Sequence, residues 1–417
     1  MESIESQVAA GTLVGGERLP TVRSLAAELG LAPNTVASAY RRLADRGVVV
    51  GRGRAGTFVL PRPPLGVHRS LQIPSGLVDL ASGSPDPRLL PDLGPYLRHS
   101  GPSSSYVDPV VLPGIEQAGL DWLRRQGLPA ERIILTSGAL DGIERVLAAR
   151  LRPGDAVAVE SPGWSALYDL IGALGLQAIP IQIDSYGMRP DDLASRIGGV
   201  SAVVVTPRAQ NPYGAAFDVE RRDDLAEVLA AHPDVLLVED DHAGPIAGTP
   251  LHPLGQGRRR WAFVQSVAKA LGPDLRLALV AGDDLTLDRV AGRLGAGPGW
   301  VSRILQTTTS ALMDDPQVWS LLARAEDAYT VRRQALVSAF AGAGLSSTGR
   351  SGLNVWVEVS SEGAAVARAA AAGFAVRGGS AFGVTPPAVR ITVSNLDLED
   401  VSAVVDALAT GDPARIV

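Results

Sequence analysis

Val235-Leu236-Leu237-Val238-Glu239-Asp240-Asp241-His242 runs from four aliphatic residues straight into three carboxylates and a histidine. A short aliphatic run closed by polar residues reads as a strand buried on both faces. Similar runs stand on either side of it: Val157–Val159, Ala178–Ile181, Ala202–Val205, Phe263–Gln265 and Leu277–Val280. The intervals between them hold helical patterns, which predicts crossover helices and a mostly parallel sheet in an α/β body. Ligands of such sheets bind beyond the carboxyl ends of the strands, so the residues just past each strand should converge.

Those residues form a coherent set. Glu160-Ser161-Pro162-Gly163-Trp164 follows one strand and Gln210-Asn211-Pro212-Tyr213-Gly214 lies just past another. Thr136-Ser137-Gly138-Ala139 opens a helix, and Ser266-Val267-Ala268-Lys269 follows Gln265. Lys269 is the only lysine among 38 basic residues. Arginine can replace lysine as a plain cation but not as an amine nucleophile. Chance survival of one surface lysine is the bland alternative. Each other element also has one: Asp240-Asp241 as a magnesium pair or helix cap, Trp164 as core, Asn-Pro-x-Gly as an ordinary turn. Taken together, a helix start for a phosphate, an aromatic for a flat ring, a carboxylate for a pyridine nitrogen and an amine describe a pyridoxal 5′-phosphate site.

The 417 residues, 46% hydrophobic, suffice for two or three domains. Zero cysteine excludes disulfides, thiolate metal sites and a cysteine nucleophile. His68, His99, His232 and His252 show no ligand spacing, so no metal is expected. With no signal segment and no apolar run of about 18 residues, the expectation is an unexported cytoplasmic protein without a membrane partner.

Charge divides the chain. Residues 1–62 carry eight Arg against five acids, whereas the remainder is acidic, which suggests two domains with different partners. In Thr21–Leu29, Val22, Leu25, Ala26 and Leu29 repeat at helical spacing, and Gly30 stops the pattern. A second helix starts at Pro33, buries Val36, Tyr40 and Leu43, and ends at Gly47. This is helix-turn-helix spacing. Its second helix would show Asn34, Thr35, Ser38, Arg41 and Arg42 to base edges and phosphates. Gly51–Gly56 spells G-x-G-x-x-G, but a dinucleotide site needs a helix after it. Thr57-Phe58-Val59-Leu60 follows instead, so a hairpin wing carrying Arg52 and Arg54 is expected. Pro-rich residues 61–78 read as a semi-stiff linker.

The head resembles the GntR-type winged helix through Gly16–Pro20, Val22-Arg23, Leu25-Ala26, Asn34–Val36, Gly53 and Gly56–Val59. The resemblance implies that Arg23 and the start of the recognition helix contact DNA, and that the first helix is short. Ala32 replaces the usual capping Ser, at a cost of about 1 kcal/mol.

Residues 79–400 resemble fold-type I aminotransferases, with a small α+β subdomain from about residue 325 to 417. The matches are Gln210-Asn211-Pro212-Tyr213-Gly214, with Tyr213 for the usual Thr, and Ser266-x-x-Lys269 followed by Leu275-Arg276. The resemblance implies that Lys269 forms the Schiff base, Asp240 pairs with the pyridine nitrogen, Asn211 contacts the ring hydroxyl and Trp164 stacks. It assigns the phosphate to Ser137, Gly138, Ala139, Ser266 and Arg276. Tyr106 would reach the neighbouring subunit's phosphate, and Arg390 would grip an effector carboxylate. His242 stands where a Tyr is usual; it should titrate near neutral pH and impair transamination.

A head over residues 1–60 joined to such a body over 79–417 resembles the MocR family of transcription regulators. That implies a homodimer bound to an operator, with an amine, amino acid or B6 vitamer as effector. The rival readings are a working aminotransferase with a vestigial head and a binding module that makes no use of Lys269.

Overall fold

The computed structural model describes residues 4, 7, 13, 15–45, 48–51, 53–59, 71–98, 105–383 and 387–409. In the head, α1 (Val22–Leu29) is capped by Thr21, whose hydroxyl accepts the Ser24 N–H at 3.1 Å. Gly30 ends it at φ 64, a left-handed conformation that glycine takes without strain. Helix α2 (Pro33–Asp45) packs Val36, Tyr40 and Leu43 against Ala26, Val49 and Val59. Leu29 departs from the expected apolar face: it is 56% exposed, because α1 ends there, beyond the reach of this small core. Strands β1 (Val49–Gly51) and β2 (Thr57–Val59) pair antiparallel, so the glycine-rich stretch is a hairpin wing and not a dinucleotide loop. Arg52, Gly47 and the tether through residue 70 lie outside the described residues.

The body begins at β3 (Val78–Asp79). Its large sheet contains β4 (Ile134–Thr136), β5 (Ala156–Ser161), β6 (Gln177–Asp184), β7 (Gly187–Met188), β8 (Ala202–Val205), β9 (Leu236–Asp241), β10 (Trp261–Ser266) and β11 (Ala278–Gly282). The strand order is β4-β11-β10-β9-β8-β5-β6-β7. Strands β10, β9, β8, β5 and β6 are mutually parallel, while β11 runs antiparallel between β10 and β4. Helices α3 (Ala139–Arg150) and α4 (Ser165–Ala173) are among those covering it. Both faces are buried: Val204 joins one apolar cluster with Val157 and Val159, and Val203 and Val205 join another. That two-sided burial explains why the strands read as unbroken aliphatic runs.

One boundary differs from expectation in a way that matters. Strand β9 does not stop at Val238 but continues through Asp241, paired to β10 in register Val264↔Asp240 and Gln265↔Asp241. The two aspartates are strand residues with opposite orientations, not loop residues.

A 27-residue helix, α5 (Pro316–Gly342), leads into the small module. There β12 (Ser347–Thr348), β13 (Asn354–Glu358), β15 (Arg377–Gly378) and β16 (Ala388–Thr392) form a sheet in the order β12-β13-β16-β15. Strand β14 (Phe374–Ala375) pairs in parallel with β3. Val78 therefore belongs to the folded body, and the chain enters that body through the small module. The Asp79 carboxylate then accepts the Ala81 and Ser82 N–H groups, both at 2.9 Å, turning the chain toward the large sheet. Among the described residues, no helix is long and apolar enough to cross a membrane.

Candidate functional site

A cavity of about 270 Å³ opens at the carboxyl ends of the parallel strands, against the small module. It gathers Lys269, Asp240, Asn211, Trp164, His242 and Arg390, the core of the set expected from sequence.

Lys269 sits on a single helical turn, Ala268–Leu271, directly after β10. Ser266 Oγ accepts the Ala268 N–H at 3.2 Å, and Val267, Ala270 and Leu271 are buried, so the turn is anchored and its lysine projects into the cavity. The ammonium donates to the Gly83 carbonyl. Burial, reinforced by the nearby Arg390 cation, lowers its pKa from 10.5 to about 8.

Adjacent aspartates on one strand have opposite fates. Burial pushes Asp241 up, but Arg208 more than offsets this with Nη2 at 2.7 Å and Nε at 3.2 Å, as do Gln265 Nε2 at 2.6 Å and the Gly244 N–H at 3.0 Å. Asp241 is thus held ionised below the sheet. Asp240 faces the cavity, and its buried Oδ1 has no hydrogen-bond partner among the described residues. Burial, then the Asp241 and Glu160 charges, raise it to about 8. The magnesium-pair reading fails, because Asp241 is already committed to Arg208 on the opposite face. The orphaned Asp240 oxygen is what a protonated pyridine nitrogen would satisfy.

These values predict a measurable trade. The folded pKa of Asp240 lies above its unfolded value, so its stabilising contribution is present at low pH and lost as pH rises through about 8. Asp240→Asn should melt higher than wild type without cofactor, with a gap that widens between pH 5 and pH 9. It should also bind pyridoxal phosphate roughly tenfold more weakly. Calorimetric melting across that pH range checks the first part; a gap that stays constant would sink it.

Asn211 lies in a turn held by Gln210, whose amide accepts the Tyr213 N–H at 3.0 Å and donates to the Pro162 carbonyl at 2.9 Å. Gly214 adopts φ 61, and a Cβ there would lie 2.5 Å from the Asn354 carbonyl oxygen, so the small module requires glycine. Asn211 Oδ1 accepts from Arg390 Nη1 at 2.9 Å, which leaves its amide NH₂ for a ligand oxygen. Arg390 also donates to the Ala81 carbonyl and lies 5.0 Å over the Phe382 ring. Trp164 precedes α4 and lines the cavity.

His242 corrects an expectation. Burial, with help from the Lys269 charge, pushes its imidazole down to about 4. It is neutral throughout the physiological range and does not titrate near pH 7.

Ser137, Gly138, Ala139, Ser266 and Arg276 lie outside the lining of this cavity, but three adjacent strands bring them together. Thr136, Ala278 and Ser266 are register partners across β4, β11 and β10. Gly138 opens α3 at φ 95, and a Cβ on it would lie 3.0 Å from Arg276 Nη2, so glycine lets the guanidinium lie across the helix start. One donor there is taken: the Ser137 N–H reaches Asp141 Oδ2 at 2.8 Å. Tyr106 is not among the residues lining its own chain's cavity; it is 91% exposed and edge-on to Trp300. In the head, Arg23, Asn34, Thr35 and Arg41 are exposed and Ser38 is half-buried; the Arg54 side chain lies outside the described residues.

Sequence reasoning missed Gly83 and Arg377, and quoted Glu160 without giving it a role. Glu160 is buried, accepts the Thr206 N–H at 3.2 Å and is pushed up to about 7 by burial. Its place at the end of an aliphatic strand was a usable signal. Gly83 and Arg377 carried none.

The mixed sheet, the amine at its carboxyl edge and the winged-helix head define an aminotransferase-type body joined to a DNA-binding head. Comparison with known proteins specifies the class. Residues 75–408 match the aminotransferase class I and II family, and residues 1–59 match bacterial regulatory proteins of the gntR family. The vitamin B6 salvage pathway transcriptional repressor PtsJ of Salmonella typhimurium is 39% identical over 407 residues, spanning 96% of this chain and 95% of that one. The pyridoxine biosynthesis transcriptional regulator PdxR of Corynebacterium glutamicum is 30% identical, over 75% of this chain and 68% of that one. In fold, the body is similar to Pyrococcus horikoshii kynurenine aminotransferase, at TM-score 0.70 and 22% identity, covering 81% of this chain and 90% of that one. The chain belongs to the aminotransferase class I and II family, as a MocR-type transcription regulator with a GntR head. It is a DNA-binding regulator, and its cofactor is pyridoxal 5′-phosphate.

Proposed function

We propose that this regulator senses an amine, an amino acid or a B6 vitamer at the Lys269 cavity and transmits its occupancy to an operator-bound homodimer in the cytoplasm. The observation that carries the reading is the depressed amine of Lys269 sharing one cavity with the orphaned Asp240 oxygen and the inward-facing Arg390. Residues 1–60 act as the DNA-binding head, the tether ends just before β3, and the rest is the sensor.

Pyridoxal phosphate supplies an aldehyde that bonds reversibly to amines. The protein's part is to hold it. Asp240 would keep a proton at the ring nitrogen, Trp164 would cover the ring, and Asn211 and neutral His242 would donate to its oxygen. Gly138, Ala139, Ser137, Ser266 and Arg276 would hold the phosphate. Tyr106 reaches the partner's phosphate, which agrees with its exposure outside its own cavity. The Lys269 amine, lowered to about 8, would be the base that moves protons at a bound ligand. Arg390 receives a carboxylate, as its place in the cavity allows.

A sensor gains from a long-lived adduct, whereas an enzyme must release product. Turnover with common amino donors and keto acids should therefore fall far below the ~10 per second typical of enzymes, while the same preparation retards its upstream DNA. Effector should shift that DNA affinity by biasing two body conformations. Turnover near the enzymatic value without DNA retardation would establish the aminotransferase reading instead.

A further inference from the structure

Arg377 and Arg390 are register partners on the antiparallel strands β15 and β16, so their side chains leave the sheet on the same face. Both line the Lys269 cavity. Arg390 is fixed by Asn211 and the Ala81 carbonyl. Arg377 is half-buried, and its side chain has no hydrogen bond or ion pair among the described residues. Like charges directly opposite one another destabilise a sheet, and the nearby carboxylates relieve this pair only in part. Glu362, against Gly378, is spent on the Ser380 N–H and hydroxyl at 2.8 and 2.5 Å. Asp79 spends its Oδ1 on the Ala81 and Ser82 N–H groups, and its charge offsets less of the repulsion at Arg390 than Arg377 adds. Nor does the cofactor phosphate explain Arg377, since the cup at Gly138 and Arg276 belongs to β4 and β11, strands of the other sheet.

We propose that Arg377 is a specificity residue: it takes a second anionic charge on the effector, beside the group held by Arg390. The cavity then prefers ligands with a phosphate monoester or a second carboxylate over amines with neutral side chains. A guanidinium facing a half-enclosed cavity gains charge-assisted, bidentate bonds from either anion. The inference rests on the amine-sensing reading above.

The test uses the full-length, pyridoxal phosphate-loaded protein titrated with L-alanine, L-glutamate and O-phospho-L-serine, followed by absorbance and DNA retardation. Glutamate or phosphoserine should half-saturate at a concentration about tenfold or more below alanine. Whichever of the two wins identifies carboxylate or phosphate as the second group. Arg377→Gln should collapse that preference to within about threefold, and Arg377→Lys should keep most of it. Melting of Arg377→Gln at or above the wild-type temperature shows that the variant is folded; if it does not fold, wild type and Arg377→Lys still decide. A response to alanine that neither anion betters overturns this inference alone. So does a preference that persists in Arg377→Gln. No response to any of the three overturns this inference and, with it, the amino-acid form of the sensing reading, leaving only the B6 vitamer form.

Discussion

Replacing Lys269 by alanine should abolish borohydride-fixed pyridoxal phosphate completely while leaving the protein folded. In wild type, peptide mapping after reduction should place the label on Lys269. No arginine can substitute, because a guanidinium stays protonated and forms no stable bond with an aldehyde. The neutral amine is the reactive form, so covalent capture should follow a titration with its midpoint near pH 8, not near 10.5. The sign for stability is also determined. A lysine whose folded pKa is depressed gives up its proton before the unfolded chain does. Its contribution to the apo protein is therefore least below about pH 8 and rises between 8 and 10.5. Lys269→Ala removes a desolvated cation, and its melting temperature should lose that pH dependence. Label recovered at another residue of folded, loaded wild type would refute the assignment.

Operator affinity should fall by about three orders of magnitude between 50 and 200 mM salt, if about six phosphates are neutralised per dimer. Arg23, Arg41 and Arg42 of each head are exposed and supply cations in that number. The Arg23 side chain is exposed and makes no hydrogen bond or ion pair within the described head, so Arg23→Ala should leave melting close to wild type. It should weaken operator binding by about tenfold. Arg52→Ala should weaken binding more evenly across unrelated sequences. Fluorescence anisotropy over a salt series checks both. An affinity indifferent to salt would remove the electrostatic basis of the DNA-binding reading.

Much of this was legible from local pattern. Helical spacing and two glycines located the helix-turn-helix, and β-branched Thr57 and Val59 after the glycine-rich stretch pointed to a wing. Aliphatic runs marked the large sheet because its strands are buried on both faces. The solitary lysine announced itself by composition, and the Asn-Pro-Tyr-Gly turn by its order relative to the strands. These signals survive in sequence because each depends on residues a few positions apart.

The rest depended on segments brought together from afar. The alternation of a strand says that Asp240 and Asp241 face opposite ways, but not which of them meets the cavity; Arg208, entering from another loop, decides it. His242 looked like a pH-sensitive group until burial beside Lys269 fixed it neutral. Leu29 fitted the apolar repeat, yet the head's core ends short of it. Gly83 reaches Lys269 across 186 positions, because β3 pairs with β14 of the small module. Arg377 acquires meaning only through its register with Arg390. By itself, then, the sequence determined the elements, their order and the identity of the reactive amine, all set by short-range periodicity and residue chemistry. Which carboxylate faces the cavity, which groups are charged there and which arginines confront the ligand were decided by the tertiary structure, since burial and electrostatics depend on neighbours that chain order does not reveal.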